Sequence, residues 1–273
     1  MDFAWKEDSR QWIEAGGRRL EARCFGPPPG ERPTIILLHE GLGCVDMWRE
    51  FPLGLVERTG CGVLAYSRAG YGRSDPCELP RPQDYMTVEA EQTLPRILDA
   101  AGIQQCILFG HSDGATIAAI YAGCRQDFRV RGLILMAPHF FIEDVSVDAI
   151  SEARTEYQTG DLRARLAKYH SHVDCAFYGW NDAWLNPEFQ EWNVADVIDY
   201  WRVPSLVIQG RNDAYGSLAQ IREIETRSYA PVDVEVFPDC GHSPHVEKRQ
   251  QTIRAVAEFV ARLERIETTA VAI

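Results

Sequence analysis

Short, almost wholly apolar runs recur along this chain at residues 34–38, 62–66, 106–109, 132–136 and 205–209. Runs of that length without alternation are what strands buried on both faces look like. Helix-patterned segments lie between them, at 45–58, 87–101, 115–124 and 217–228. Gly102 marks the end of the second of these helices. A final strand at 233–237 precedes a long helix over 244–266, with Pro244 in its first turn. Strands alternating with helices require right-handed crossovers, so the fold class expected is α/β, a mostly parallel central sheet with helices on both faces. A hairpin turning at Gly16-Gly17 leads the chain, over residues 10–24. Fraying is expected from residue 268 onward.

The rhythm breaks at Pro138 and resumes only past residue 202. Connections in such sheets usually take roughly 2–6 residues, so residues 139–202 read as a helical cap inserted in a core made of 1–138 and 203–273. An insertion at the carboxyl edge of a parallel sheet lies where these folds bind ligands.

Residues 110–114 read Gly-His-Ser-Asp-Gly, a G-x-S-x-G pattern. The five letters alone are weak. Here a buried strand precedes them and a small-residue helix follows, as a nucleophile elbow requires. The competing reading is a tight glycine turn with an incidental serine. A serine hydroxyl needs a base, and the base an orienting acid. In chain order, Asp213 and His242 follow later strands and reach the same sheet edge as Ser112. Separately, Asp213 reads equally well as a turn residue and His242 as a loop histidine; the order of all three favours a triad. His245 is the weaker base, and His111 is expected to face away from the serine. Two N–H donors are needed for a tetrahedral oxyanion. The backbone of Asp113 and of Leu42, between Gly41 and Gly43, are the candidates.

At these residues the chain resembles the α/β-hydrolase superfamily. The resemblance rests on Leu38-His39-Glu40-Gly41-Leu42-Gly43, on Ser67-Arg68-Ala69-Gly70-Tyr71-Gly72-Arg73-Ser74, on the elbow, and on the segments holding Asp213 and His242. It is most similar to the capped serine esterases and carbon–carbon bond hydrolases, and covers nearly the whole chain. Two positions depart from the usual pattern, Glu40 in the first loop and Asp113 after the serine. Esterases that hydrolyse valacyclovir also carry Asp there, where it receives a substrate ammonium. The simpler reading of Asp113 is compensation of a helix N-terminus, worth about 0.3–1 kcal/mol. Serine at 112 sets the chain apart from relatives with an aspartate nucleophile, such as epoxide hydrolases and haloalkane dehalogenases.

The expected activity is hydrolysis of a carboxylic ester of a small, largely apolar or aromatic substrate through an acyl-enzyme on Ser112. The alternatives are carbon–carbon bond hydrolysis of a dienoate diketone and non-catalytic ligand reception. Cofactor-free haloperoxidase activity would use the same triad. Glu40, Trp48, His139, Phe141, Tyr178 and Trp180 are the expected substrate-binding residues, although most cap aromatics read equally as the cap's own core.

Composition narrows the partners. A net charge of −12 and no basic stripe exclude nucleic acid and disfavour anionic membranes. No apolar leader or spanning run is present, so a cytoplasmic location and a small-molecule partner are expected, with homodimerisation left open. The 8 cysteines are scattered without a Cys-x-x-Cys pair, and read as buried reduced thiols, Cys106 and Cys124 among them. No metal and no cofactor are expected.

Overall fold

The computed structural model describes residues 3–7, 9–30 and 32–271, with side chains described to residue 265. Its strands are β1 (Arg10–Ala15), β2 (Arg18–Phe25), β3 (Thr34–Leu38), β4 (Val63–Tyr66), β5 (Cys106–His111), β6 (Val130–Met136), β7 (Ser205–Gly210) and β8 (Val232–Phe237). They form one sheet in the order β1-β2-β4-β3-β5-β6-β7-β8. β2 runs antiparallel to β1 and β4, and every other pairing is parallel. The expected hairpin and parallel sheet are both present.

The helices are α1 (Phe51–Thr59), α2 (Tyr85–Val88), α3 (Leu94–Ala100), α4 (Asp113–Cys124), α5 (Asp144–Thr159), α6 (Leu162–Leu166), α7 (Val173–Trp184), α8 (Ala219–Arg227), α9 (Pro244–Glu247) and α10 (Arg249–Val271). A π-helical turn over Glu89–Thr93 joins α2 to α3. The segment between β6 and β7 carries α5, α6 and α7, so the chain's long insertion is helical as expected.

Alternation along the strands splits the core in two. Ile36, Leu38, Leu108 and Leu135 face one layer with α4 and the insertion, while Ile35, Leu37, Phe109 and Ile134 face the other with α1 and α10. Trp201 is fully buried and donates its Nε1–H to the Ala119 carbonyl at 3.0 Å, tying the end of the insertion to α4.

Register brings the strand ends level. Leu38 pairs with Gly110, His111 with Met136, Met136 with Ile208, and Gly210 with Phe237. The residues that follow these strands therefore emerge along one edge, and the candidate site lies there.

Some boundaries differ from expectation. The segment at 45–58 is a 3₁₀ turn, Val45–Trp48, and then α1, because Arg49 takes φ 51° and breaks the helix. The C-terminal helix is broken at Lys248, where φ is −128° and ψ 39°. Glu247 there accepts from two N–H groups of the preceding loop instead of continuing the helix face. Cys106 is buried, but Cys124 is exposed because it ends α4 at the surface. α10 continues to Val271, past the point where fraying is expected; residues 272 and 273 lie outside the described residues. Among the described residues no helix is long and apolar enough to cross a membrane.

Candidate active site

Ser112 stands between β5 and α4 with φ 52° and ψ −121°. A non-glycine residue held in that region is strained, and the surroundings must over-determine it. Two glycines do so. A Cβ on Gly110 would lie 2.1 Å from the Gly114 carbonyl oxygen, and one on Gly114 would lie 2.1 Å from the Leu38 carbonyl oxygen. The Ser112 N–H donates to the Met136 carbonyl at 2.8 Å. The turn is thus fixed by backbone contact on both sides.

His242 and Asp213 meet as the chain order suggests. His242 Nδ1 lies 2.8 Å from Asp213 Oδ2 and 2.9 Å from Oδ1. Asp213 also accepts from the Tyr215 N–H at 2.8 Å and from Gln209 Nε2 at 2.7 Å. Burial alone would raise the Asp213 carboxyl. The hydrogen bond and charge of His242, with the Tyr215 N–H, outweigh burial and hold it below the ordinary value. An ionised Asp213 fixes the Nδ1–H tautomer of His242, leaving Nε2 as the basic nitrogen.

The loop carrying His242 is clamped. Glu247 accepts from the Gly241 N–H at 2.8 Å and from the Ser243 N–H at 3.1 Å. His111 donates from Nε2 to the His242 carbonyl at 2.7 Å. His111 Nδ1 in turn lies 3.4 Å from Glu40 Oε2. Burial works against the Glu40 carboxylate, but His111, His245 and His39 hold the group well below the usual carboxylate range. Glu40, expected at the substrate, therefore faces the back of the elbow.

The loop after β3 is held by its carbonyls. Arg68 is 1% exposed and donates to the His39 carbonyl through Nη1 and to the Glu40 carbonyl through Nη2, the latter at 3.0 Å. The Gly43 N–H closes the turn on the Glu40 carbonyl at 3.1 Å. The N–H of Leu42 has no hydrogen-bond partner among the described residues, and that of Asp113, first in α4, has none within the helix.

Ser112 and Asp113 line a small cavity with His139, Trp180, Trp184 and Tyr215. Its free space is about 10 Å³, roughly that of one water molecule. His139 lies with its ring centroid 5.2 Å from that of Trp184 and 6.0 Å from that of His242. Burial, with the nearby His242, pushes His139 down to about 3 against the opposing charge of Asp213. Trp180 covers the glycine loop, since a Cβ on Gly41 would lie 2.2 Å from its Nε1.

Asp113 is fully buried. Its Oδ2 accepts from the Tyr85 hydroxyl at 2.5 Å, and Trp184 Nε1–H donates to that hydroxyl at 3.0 Å. Burial raises the Asp113 carboxyl, opposed by Arg68, Tyr85 and Arg81. Oδ1 has no partner.

The remaining expected residues lie elsewhere. Trp48 is packed under the sheet against Phe51, Phe109 and His245, because the 3₁₀ turn directs it away from the strand ends. Tyr178 packs edge-on against Tyr157 and Phe177, inside the insertion's own core. Phe141 makes a backbone bridge to Asn193 and does not line the cavity. Trp184, one of the insertion's aromatics, lines the cavity, whereas the sequence reading singled out none of Arg68, Tyr215 and Glu247 as a site residue. A glutamate in the first turn of α9 was a legible signal for Glu247. Arg68 lay inside a segment already recognised, at a place where only the fold shows what it touches.

The family model described as the alpha/beta hydrolase family matches residues 35–256. The chain belongs to that family. Among curated relatives of this hydrolase, the sn-1-specific diacylglycerol lipase ABHD11 of Danio rerio is 23% identical over 260 residues, covering 85% of this chain and 79% of the relative. Epoxide hydrolase 3 of Xenopus tropicalis is 21% identical over 266 residues, covering 84% and 71%. Among solved structures, proline iminopeptidase of Mycobacterium smegmatis superposes with a TM-score of 0.73 at 19% identity, covering 95% of this chain and all of that one. Structural likeness at that identity speaks to the fold alone.

Proposed function

We propose that this hydrolase cleaves a carboxylic ester of a small, largely apolar substrate through an acyl-enzyme on Ser112. The observation that carries the reading is the His242–Asp213 pair at 2.8 Å, on the sheet edge where Ser112 is held at φ 52°. An incidental serine has no reason to be kept in a strained turn on the same sheet edge as an oriented imidazole.

In this reading Ser112 Oγ attacks the ester carbonyl carbon while His242 Nε2 takes its proton. Asp213 stabilises the imidazolium without becoming protonated. The carbonyl oxygen becomes an oxyanion that accepts from the N–H groups of Asp113 and Leu42. The tetrahedral intermediate collapses, the C–O bond to the alcohol breaks, and His242 returns the proton to the departing oxygen. Water then attacks the acyl carbon with His242 again as base, releasing the acid and Ser112. The insertion serves as a cap, and must move to admit substrate because the space over Ser112 is about that of one water. Trp180, Trp184 and Ile150 offer an apolar wall. Asp113, His139 and Tyr215 are among the polar residues that line the space and can orient what enters.

A panel of p-nitrophenyl esters of graded chain length, with Ser112→Ala as control, tests the reading. Hydrolysis by the wild type, reduced at least ~10³-fold in the variant, is expected. Full activity in Ser112→Ala, or turnover of a dienoate diketone with none of any ester, overturns it.

A further inference from the structure

His170 belongs to the insertion, in the turn between α6 and α7, and is 3% exposed. Its two ring nitrogens bridge two loops of the core. Nδ1 accepts from the Gly72 N–H at 2.9 Å. Nε2 lies 3.0 Å from the Leu42 carbonyl oxygen. A backbone N–H can only donate, so Nδ1 carries no proton. The neutral ring then has its proton on Nε2, and donates it to Leu42. Burial favours that neutral form.

The seam around this ring is reciprocal. Ser171 N–H donates to the Gly72 carbonyl at 2.8 Å, so residues 170 and 171 of the insertion hold both backbone groups of Gly72. Gly72 is itself fixed, with φ 55° and with Glu21 and Ser67 so close that a Cβ would not fit. His170 is thus anchored on a rigid point of the core, and its other face acts on the loop after β3.

In that loop, the His39 and Glu40 carbonyls are held by Arg68, a residue of the core. The Leu42 carbonyl is held by His170, a residue of the insertion. Its hydrogen bond fixes the peptide plane joining Leu42 to Gly43, and through it limits rotation about Leu42, whose own N–H has no partner among the described residues. The peptide that carries the Leu42 N–H, with the Gly41 carbonyl, therefore lies between two peptides fixed through the Glu40 and Leu42 carbonyls.

We propose that His170 is a positioning residue that couples closure of the insertion to assembly of the oxyanion hole. With the insertion seated, its imidazole holds Leu42 in the orientation that presents the N–H to the oxyanion. With the insertion lifted, Leu42 loses that restraint, so the hole is complete only over an enclosed substrate. This rests on the reading of Ser112 as nucleophile given above.

Two near-isosteric variants separate coupling from simple adhesion. His170→Asn places an acceptor where Nδ1 stands, keeping the Gly72 bond and removing the donor to Leu42. His170→Gln extends a donor to the Leu42 carbonyl. The rate of Ser112 labelling by a fluorophosphonate, whose phosphoryl oxygen uses the same donors, is measured alongside kcat and KM for a p-nitrophenyl ester. His170→Asn is expected to lower both the labelling rate and kcat by roughly 10-fold or more, short of the 10²–10³ for outright loss of a donor. KM should stay within about twofold and Tm near the wild-type value. His170→Gln is expected to remain within about threefold of wild type. Equal labelling of His170→Asn and wild type overturns the proposal while leaving the Ser112 reading intact. So does a loss in both variants that tracks a fall in Tm. Absence of Ser112 labelling in the wild type overturns the nucleophile reading and this proposal with it.

Discussion

His111 donates its Nε2 proton to the backbone carbonyl of His242 at 2.7 Å, so the residue before the candidate nucleophile holds the loop of the candidate base. Glu40 faces the other ring nitrogen, 3.4 Å away. Three elements of the site, the loop after β3, the elbow and the His242 loop, are thereby joined through two side chains.

Replacing Glu40 by Gln removes the charge facing His111. We expect a loss of about 1–3 kcal/mol at neutral pH, the cost of leaving a buried polar group poorly matched. Because the folded protein holds this carboxyl below its ordinary value, its contribution is fully present above about pH 4.5 and is lost as pH falls below that. Urea unfolding of the two proteins at pH 7 and pH 4 checks this: their stabilities should converge in acid. Ester hydrolysis should fall roughly 3–10-fold through the loosened His242 loop. Parallel stability curves would show that Glu40 is not ionised against His111.

Asp213→Asn should separate activity from stability. The amide presents hydrogens to His242 Nδ1 and Gln209 Nε2, both of which donate to Asp213. Gln209 can adapt, since its Oε1 has no partner among the described residues and a flip of its amide supplies an acceptor. His242 can adapt only by moving its proton to Nε2, which destroys the base. We expect kcat to fall by about 10³–10⁴-fold and stability to change by no more than about 1 kcal/mol. Steady-state kinetics and thermal unfolding on one preparation decide it.

His245 gives a distinct acid sensitivity. It is buried against Trp48 and Phe51, and burial with the nearby His111 pushes it down to about 3. The folded protein then keeps this ring neutral from pH 6.5 to about 3, while the unfolded chain takes up a proton below about 6.5. Acid therefore favours unfolding throughout that window, by roughly 1.4 kcal/mol per pH unit for one such ring, and nothing is contributed above it. Between pH 7 and pH 5, wild type should lose about 2 kcal/mol more than His245→Gln. Identical losses in urea titrations would refute the assignment.

How far the sequence could lead follows from what each residue depends on. The strands at 34–38, 106–109 and 132–136 were legible because burial on both faces leaves no polar position in a run. Ser112, Asp213 and His242 were legible because a strand's carboxyl end is a place that order along the chain defines. Trp48 was misread because sequence proximity to a loop does not say on which side of the sheet a side chain leaves a 3₁₀ turn. Glu40 was placed in the right loop but on the wrong side of it, its partner being the elbow's own His111. His170 was invisible because its meaning comes from two backbone groups, at Gly72 and Leu42, about 98 and 128 residues away in sequence. Residues of the insertion act through packing against the rest of the chain, which periodicity within one helix does not encode.

Trp180 should set the size of the acyl group accepted. Its indole covers Gly41 and lines the space over Ser112, whose free volume is about 10 Å³. Trp180→Leu keeps an apolar contact with the insertion but withdraws the ring from above the serine. Each methylene accommodated in an apolar pocket is worth about 1–3 kcal/mol of discrimination. The ratio of kcat/KM for an octanoate over an acetate p-nitrophenyl ester should therefore rise at least ~10-fold in the variant. The acetate rate itself should change little, because neither Ser112, His242 nor Asp213 hydrogen-bonds to Trp180. Should the ratio stay constant while both rates drop, Trp180 would be holding the insertion in place and another wall of the cavity would set chain length.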